Sequence, residues 1–376
     1  MKILHIITSI DKGGAENQLF CLVKGQINLG NKVYVIFFKG NQYWKKHLKK
    51  IGAKVYFCPY QNFYKIIKLF KFFFIINKII KKIEPKVIHA HLSLSELVGF
   101  LLKIKYKHKI RFVITKHLGS FLFEGSTGIN KFFSGLFLEK IVLKKADHII
   151  FISKEVKKYF LNSIKIPKRK ISVIYYGYEL RKIDVKIQKN FYTKYKTDKN
   201  HLIICSISRH VKQKNLPFLI KVFAKINKEL EIKSKLILVG KGTETNLLKK
   251  LAIDLKISNK IIWIKHCEHI REFIKIIDIF CLTSDYEGLG LVMLEAMAEK
   301  KPIIATNISA IPEIVRNNFN GVLFEKENQE SFIAGFKKIF YNNKFKNKII
   351  TNGFTVLKKK FTIQKMINNN LRIYNL

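Results

Sequence analysis

Short apolar runs alternate with longer stretches of helical period along almost the whole chain. In the first half the runs are Lys2–Thr8, Lys32–Phe38, Lys54–Cys58, Lys86–Ala90, Arg111–Thr115, His148–Ile152 and Ile171–Ile174, with helical stretches such as Ala15–Leu29 and Phe63–Ile83 between them. Runs this short, rich in β-branched residues, read as buried strands. The rhythm restarts at His201–Ser206 and continues through Lys235–Val239, Lys260–Ile264, Ile279–Leu282 and Pro302–Ala305. Strand–helix alternation predicts parallel sheets covered by helices. The polar, Lys-rich stretch Glu179–Asn200 between the halves reads as an interdomain linker. The pattern therefore predicts an α/β chain of two doubly wound, Rossmann-like domains, 1–178 and 200–358, facing each other across a cleft. In such sheets ligands bind beyond the carboxyl ends of strands, so residues just after strands carry the candidate chemistry.

Length agrees: 376 residues exceed one ordinary core, and a hydrophobic content of 48% fills two. Charge changes the picture more, with 71 basic against 26 acidic residues and a net of +45. Nucleic acid is the first partner to weigh. Only seven of the basic residues are Arg, however, and base-edge reading favours Arg forks. The chain is also rich in Ile, Asn, Phe and Tyr beside Lys, as drift in an AT-rich genome produces. A specific nucleic-acid partner is not expected; an anionic membrane surface is. Five scattered cysteines, without a C-x-x-C pair, predict buried thiols in a reducing compartment. The opening MKILHIITSI runs straight into structured pattern, so no signal peptide is expected, and no apolar stretch is long enough to span a bilayer.

The densest chemistry is Ser284-Asp-Tyr-Glu287-Gly288-Leu289-Gly290-Leu291, continuing to Glu295-Ala-Met297. It follows an apolar run and so forms a strand-to-helix turn. Gly288 and Gly290 allow close backbone approach, and the helix start favours an anion. Glu287 and Glu295, if joined by helix, lie roughly 12 Å apart, far enough to grip two parts of one extended ligand. The frame E-G-x-G-L-x-x-x-E-A-M resembles the signature of retaining family-4 glycosyltransferases with the GT-B fold. By that resemblance Glu287 contacts a donor hexose and Glu295 the ribose hydroxyls. Arg209 and Lys214, after the first strand of this half, resemble the family's diphosphate clamp; Asn215 stands where the family usually has Gly, and Asn tolerates left-handed backbone. Val239-Gly240-Lys241-Gly242 is similar to a turn beside the nucleotide. No Asp-x-Asp pair occurs in the sequence, so neither a metal nor a cofactor is expected; His266, Cys267 and His269 lack a second ligand pair.

In the first half, Gly13 and Gly14 open a helix after the first strand, which suits an approach to phosphates. The loop is not the dinucleotide fingerprint of NAD enzymes, but it resembles the family's glycine-rich first loop. His89 and His91 resemble a strand end of the family, and His117 its active-site histidine. Phe63–Lys82, dense in Phe and Lys, suits both a sheet-covering helix and an interfacial one; Phe121–Leu138 is a lesser candidate.

The resemblance spans nearly the whole chain, including Val173–Gly177 and a terminal helix, 359–376, that would cross back to the first domain. It implies transfer of a hexose or N-acetylhexosamine from a nucleotide-diphosphate sugar, UDP-sugars foremost, to a lipid-linked or cell-envelope glycan acceptor. The first domain would serve the acceptor and the second the nucleotide-sugar, with the protein peripheral at the cytoplasmic face of a membrane. A nucleotide-sugar epimerase of the same fold would share the donor site without an acceptor. A basic nucleic-acid-binding protein would need clustered Arg or aromatic platforms.

Overall fold

The structure, a computed structural model, describes residues 1–59, 66–117, 129–195 and 201–376, with the backbone alone of 66–71 and 129–136. Two compact units result: Met1–Gly177 with Ile363–Leu376, and Tyr178–Thr362.

Unit 1 holds seven strands: β1 Lys2–Ser9, β2 Lys32–Lys39, β3 Lys54–Phe57, β4 Val87–His91, β5 Arg111–Lys116, β6 His148–Phe151 and β7 Ile171–Val173. All pair in parallel in the order β3-β2-β1-β4-β5-β6-β7. Unit 2 repeats the plan with β8 Leu202–Ile207, β9 Ser234–Val239, β10 Ile261–Ile264, β11 Ile279–Leu282, β12 Ile303–Thr306 and β13 Val322–Phe324, ordered β10-β9-β8-β11-β12-β13. Central strands such as β2 and β12 are buried along almost their whole length, as parallel sheets covered on both faces require. In each sheet the order reverses at one pair, β1/β4 and β8/β11, and the strand ends at that switch point are where doubly wound folds bind ligands.

Twelve strands lie where the apolar runs predict them; β13, only three residues long, is an addition. The supposed linker is a larger correction. Within Glu179–Asn200, Val185–Tyr195 is a helix of unit 2, and residues 196–200 lie outside the described ones. Its polar surface hides Phe191 and Tyr195, one turn apart, which pack edge-on against buried Phe273 at 5.6 and 5.9 Å. Unit 2 also extends to Thr362 and not 358: the Tyr178 N–H donates to the carbonyl of buried Phe361 at 2.8 Å. The terminal helix Ile363–Asn375 belongs to unit 1, where Met366, Ile367 and Ile373 join Ile3, Cys21 and Leu22 in one apolar cluster.

Candidate functional site

In unit 2 the loops after β8 and β11 are stitched together at the switch point. Thr283 Oγ1 donates to the carbonyls of Lys214 and Asn215 at 3.0 and 3.1 Å. The Asp285 N–H donates to the Gln213 carbonyl at 2.8 Å, and Gln213 Nε2 returns to the Tyr286 carbonyl at 2.7 Å. Asn215, at φ 44° and ψ 44°, takes the left-handed turn that launches the helix Leu216–Leu230.

This stitching places Glu287, which is buried, against two donors. Its Oε1 accepts from Lys214 Nζ at 2.5 Å and from Ser284 Oγ at 2.7 Å. Lys214, expected with Arg209 to form a diphosphate clamp, shares its charge with Glu287 because the two loops meet. Arg209 is exposed, and among the described residues its guanidinium has no ion-pair partner. Gly290, at φ 86°, supplies the left-handed residue before the helix Leu291–Ala298, whose start carries no side-chain cap; Gly288 and Leu289 are buried beneath it and Leu291 is half-buried. The helix begins only at Leu291, so the separation expected for continuous helix from Glu287 to Glu295 does not apply.

Gly240 and Gly242 are needed for a close approach. A Cβ on Gly240, at φ 142°, would lie 1.9 Å from the Ser208 carbonyl oxygen, and one on Gly242 2.2 Å from that of His210. The loop after β9 thus lies directly on the backbone after β8, and the His210 N–H seals the contact by donating to the Lys241 carbonyl at 3.1 Å. Glu295 is half-buried on the helix. Burial pushes its carboxyl up to about 7, against the pull of Arg271. Arg271 is itself bound to Glu299 at 2.7 Å, so it only partly offsets that effect.

In unit 1, β1 and β4 put His5 opposite His89 and Ile7 opposite His91; on β5, Thr115 lies opposite His91, and His117 follows two residues on. Patterning singled out three of these histidines and missed His5, whose signal was a polar residue in the apolar strand Ile3-Leu4-His5-Ile6-Ile7. His5, His89 and His91 bring ring nitrogens within 4.8 Å of one another, the one grouping of potential metal ligands among the described residues. All six nitrogens are already taken by hydrogen bonds to Gln26, Tyr374, Thr115, His117 and each other, so the arrangement is a network, not a vacant ligand set. His117 is half-buried, with Nδ1 on the Tyr176 hydroxyl and Nε2 on His91. Gly13 and Gly14 are exposed at the start of the helix Gly14–Asn28. The Glu16 side chain folds back over Gly13 and accepts from Ser9 Oγ at 3.0 Å. An anion approaching that helix start must displace it, which the sequence pattern did not suggest.

The profile of Glycosyltransferase Family 4 matches residues 12–182, and that of Glycosyl transferases group 1 matches 188–356. The chain belongs to this glycosyltransferase family. An uncharacterised glycosyltransferase of Methanocaldococcus jannaschii is 29% identical over 84% of the chain and 80% of its own length. UDP-Gal:alpha-D-GlcNAc-diphosphoundecaprenol alpha-1,3-galactosyltransferase of Escherichia coli is 27% identical over 78% of each chain. The crystal structure of Alr3699/HepE of Anabaena in complex with UDP-glucose superposes over the full length of both chains, with a TM-score of 0.86 at 19% identity. The glycosyltransferase is thus of the GT-B fold, each unit being one of its two Rossmann-like domains.

Proposed function

We propose that this glycosyltransferase is retaining and metal-independent, moving a hexose or N-acetylhexosamine from a nucleotide-diphosphate sugar to a lipid-linked or cell-envelope glycan. The observation that carries the reading is the Lys214–Glu287–Ser284 cluster at the β8/β11 switch point, with the uncommitted guanidinium of Arg209 on the same loop. The Escherichia coli relative, named for UDP-Gal and a diphosphoundecaprenol-linked acceptor, and the UDP-glucose complex of the Anabaena protein favour a UDP-sugar and a lipid-linked acceptor.

The acceptor hydroxyl attacks the anomeric carbon on the face from which the nucleoside diphosphate departs. The anomeric C–O bond to the diphosphate breaks as the new glycosidic bond forms, and the acceptor's proton passes to the leaving diphosphate oxygen. Arg209, Lys214 and the N–H groups at Gly288–Leu291 stabilise the charge that develops there. Glu287 and His117 hold the hexose, Glu295 accepts from the ribose hydroxyls, and Gly13, Gly14 and Gly240 allow backbone to approach the nucleotide. A panel of UDP-, GDP- and ADP-sugars is expected to give one donor that raises Tm, and its transfer is expected to persist in EDTA with the anomeric configuration kept. Loss of activity in EDTA, restored by Mn²⁺ or Mg²⁺, or inversion of the anomeric centre, overturns the reading.

Glu295 gives the site a pH dependence. Its folded pKa, about 7, exceeds the ordinary value of 4.5, so its contribution to stability is favourable at low pH and is lost as pH rises from about 4.5 to 7. Binding runs the other way, because the ionised carboxylate is the form that accepts two hydroxyls. At pH 6 roughly a tenth is ionised, so the Kd for UDP-glucose, whose charge is constant here, is expected to be about tenfold higher than at pH 8. Titration calorimetry checks this, and Glu295→Gln is expected to bind weakly at both pH values.

Membrane docking belongs to the same proposal. Among the described residues no helix is long and apolar enough to cross a membrane. On Ile66–Ile83, Phe74 and Ile75 are 69% and 50% exposed beside exposed Lys78, Lys81 and Lys82. Phe72 is buried against Phe38, and the Phe70 side chain lies outside the described residues. On Ile129–Lys145, Phe137 and Ile141 are exposed beside Lys140 and Lys144; the rest of the candidate stretch Phe121–Leu138 is, but for Leu138, outside the described side chains. Apolar side chains flanked by lysines suit the boundary of an anionic leaflet. Phe74→Ser is expected to weaken binding to phosphatidylserine vesicles in a sedimentation assay while leaving Tm unchanged; Phe72→Ser is expected to lower Tm. Equal affinity for DNA and vesicles contradicts the docking role.

A further inference from the structure

Four histidines of unit 1 are links in one hydrogen-bonded chain. The Tyr176 hydroxyl meets His117 Nδ1; His117 Nε2 meets His91 Nδ1 at 3.1 Å; His91 Nε2 meets His5 Nδ1 at 3.0 Å; and His5 Nε2 meets Gln26 Oε1 at 2.8 Å. Beyond Gln26 the chain continues. Gln26 Nε2 donates to the Tyr374 hydroxyl at 3.2 Å, which meets His89 Nδ1 at 2.6 Å, and His89 Nε2 meets Thr115 Oγ1 at 2.6 Å. Gln26, His5 and His89 are wholly buried.

Burial keeps every imidazole neutral. It pulls His5 down to about 4 and His117 to about 3, the latter with help from the Lys116 charge, and holds His89 and His91 well below the ordinary range. A neutral imidazole has one N–H donor and one acceptor nitrogen, so along such a chain the protons must follow head to tail. Gln26 is the one member whose two ends differ chemically: its carbonyl only accepts and its NH₂ only donates. The carbonyl against His5 puts the His5 proton on Nε2, and the protons of His91 and His117 follow onto theirs. His117 Nδ1 is then left to accept from the Tyr176 O–H. On the other side, the amide N–H turns the Tyr374 hydroxyl toward His89 Nδ1, which places the His89 proton on Nε2, facing Thr115. No imidazole can reverse alone without bringing two donors or two acceptors face to face, an arrangement that costs a full buried hydrogen bond.

We propose that Gln26 is a positioning residue for the transfer reaction, holding His117 in one tautomer and one orientation through this chain of histidines. The proposal rests on the reading that His117 serves the donor hexose. With both ring nitrogens engaged, His117 meets the sugar through a carbon edge, whose orientation the chain of histidines fixes, and does not shuttle a proton. Tyr374 brings the C-terminal helix into the same device, 348 positions from Gln26 in sequence.

Long-range proton–nitrogen correlation of the imidazoles in the 15N-labelled full chain reads each tautomer directly. Wild type is expected to show His5, His89, His91 and His117 all protonated at Nε2. Gln26→Leu removes both ends of the amide; His117 is expected to populate both tautomers, with kcat lowered roughly tenfold by loss of positioning. Tyr374→Phe removes the hydroxyl on the far side of Gln26 without adding a charge. His89 is expected to populate both tautomers, while His117 keeps its proton on Nε2 because Gln26 still accepts from His5. Because this variant is nearly isosteric, it decides the proton order even if Gln26→Leu does not fold. His117 protonated at Nδ1 in wild type, or a disturbed His117 tautomer in Tyr374→Phe, overturns the proposed proton order. A changed His117 tautomer with unchanged kcat leaves that order standing and overturns the donor-side role of His117.

Discussion

Glu287→Gln is expected to lower kcat/KM roughly a hundred- to a thousand-fold, the scale for one preorganised electrostatic group at a reacting centre. Steady-state kinetics with the identified UDP-sugar measure it. The glutamine keeps an oxygen for Lys214 and Ser284 while removing the counter-charge, so it is expected to lose less stability than alanine does. Glu287→Ala is a different experiment, because Glu287 is not simply a ligand-facing carboxylate on an indifferent scaffold. The side chains of Lys214 and Glu287 are only 13% and 9% exposed, and truncating one leaves the other charge poorly solvated. Alanine is therefore expected to cost about 3 kcal/mol of stability, at the lower end for a broken buried pair, and denaturant unfolding measures that loss. A stable Gln variant with near-normal turnover removes Glu287 from the mechanism.

That contrast shows where reading the sequence stops. Period and spacing placed the strands, the glycine turns and the carboxylates, because each depends on residues within a few positions of one another. The same reading gave Lys214 as half of a diphosphate clamp, with no sign of a carboxylate partner. Its partner is 73 residues away, and only the meeting of two strand-end loops at the switch point pairs them. Gln26 was invisible for the same reason: on a helix surface it is an ordinary polar residue until His5 and Tyr374 close around it. The helix Val185–Tyr195 was missed because its lysines outweigh the two aromatics that anchor it to Phe273. The strand β13 is simply too short for an apolar run to stand out.

Lys116→Met is expected to destabilise unit 1 strongly. Lys116, the last residue of β5, is 2% exposed and holds Glu96 Oε2 at 2.9 Å and Glu139 Oε1 at 2.8 Å, both carboxylates being equally enclosed. Burial alone would pull the lysine's pKa down, but Glu96 and Glu139 together push it above the ordinary value. A lysine raised in this way contributes stability that is complete below its unfolded pKa, about 10.5, and is lost as pH rises through the folded value. Methionine removes the cation while two buried carboxylates stay side by side. Losing the shared partner of such a cluster costs about 3–5 kcal/mol, or roughly 10 °C in Tm for a domain of this size, and calorimetry at pH 7.5 checks it. Replacing all three groups at once, Lys116→Met with Glu96→Leu and Glu139→Leu, is expected to recover most of the loss, since no buried charge remains to be compensated. A single Lys116→Met variant with wild-type Tm shows that the cluster does not support the strand end from which His117 projects.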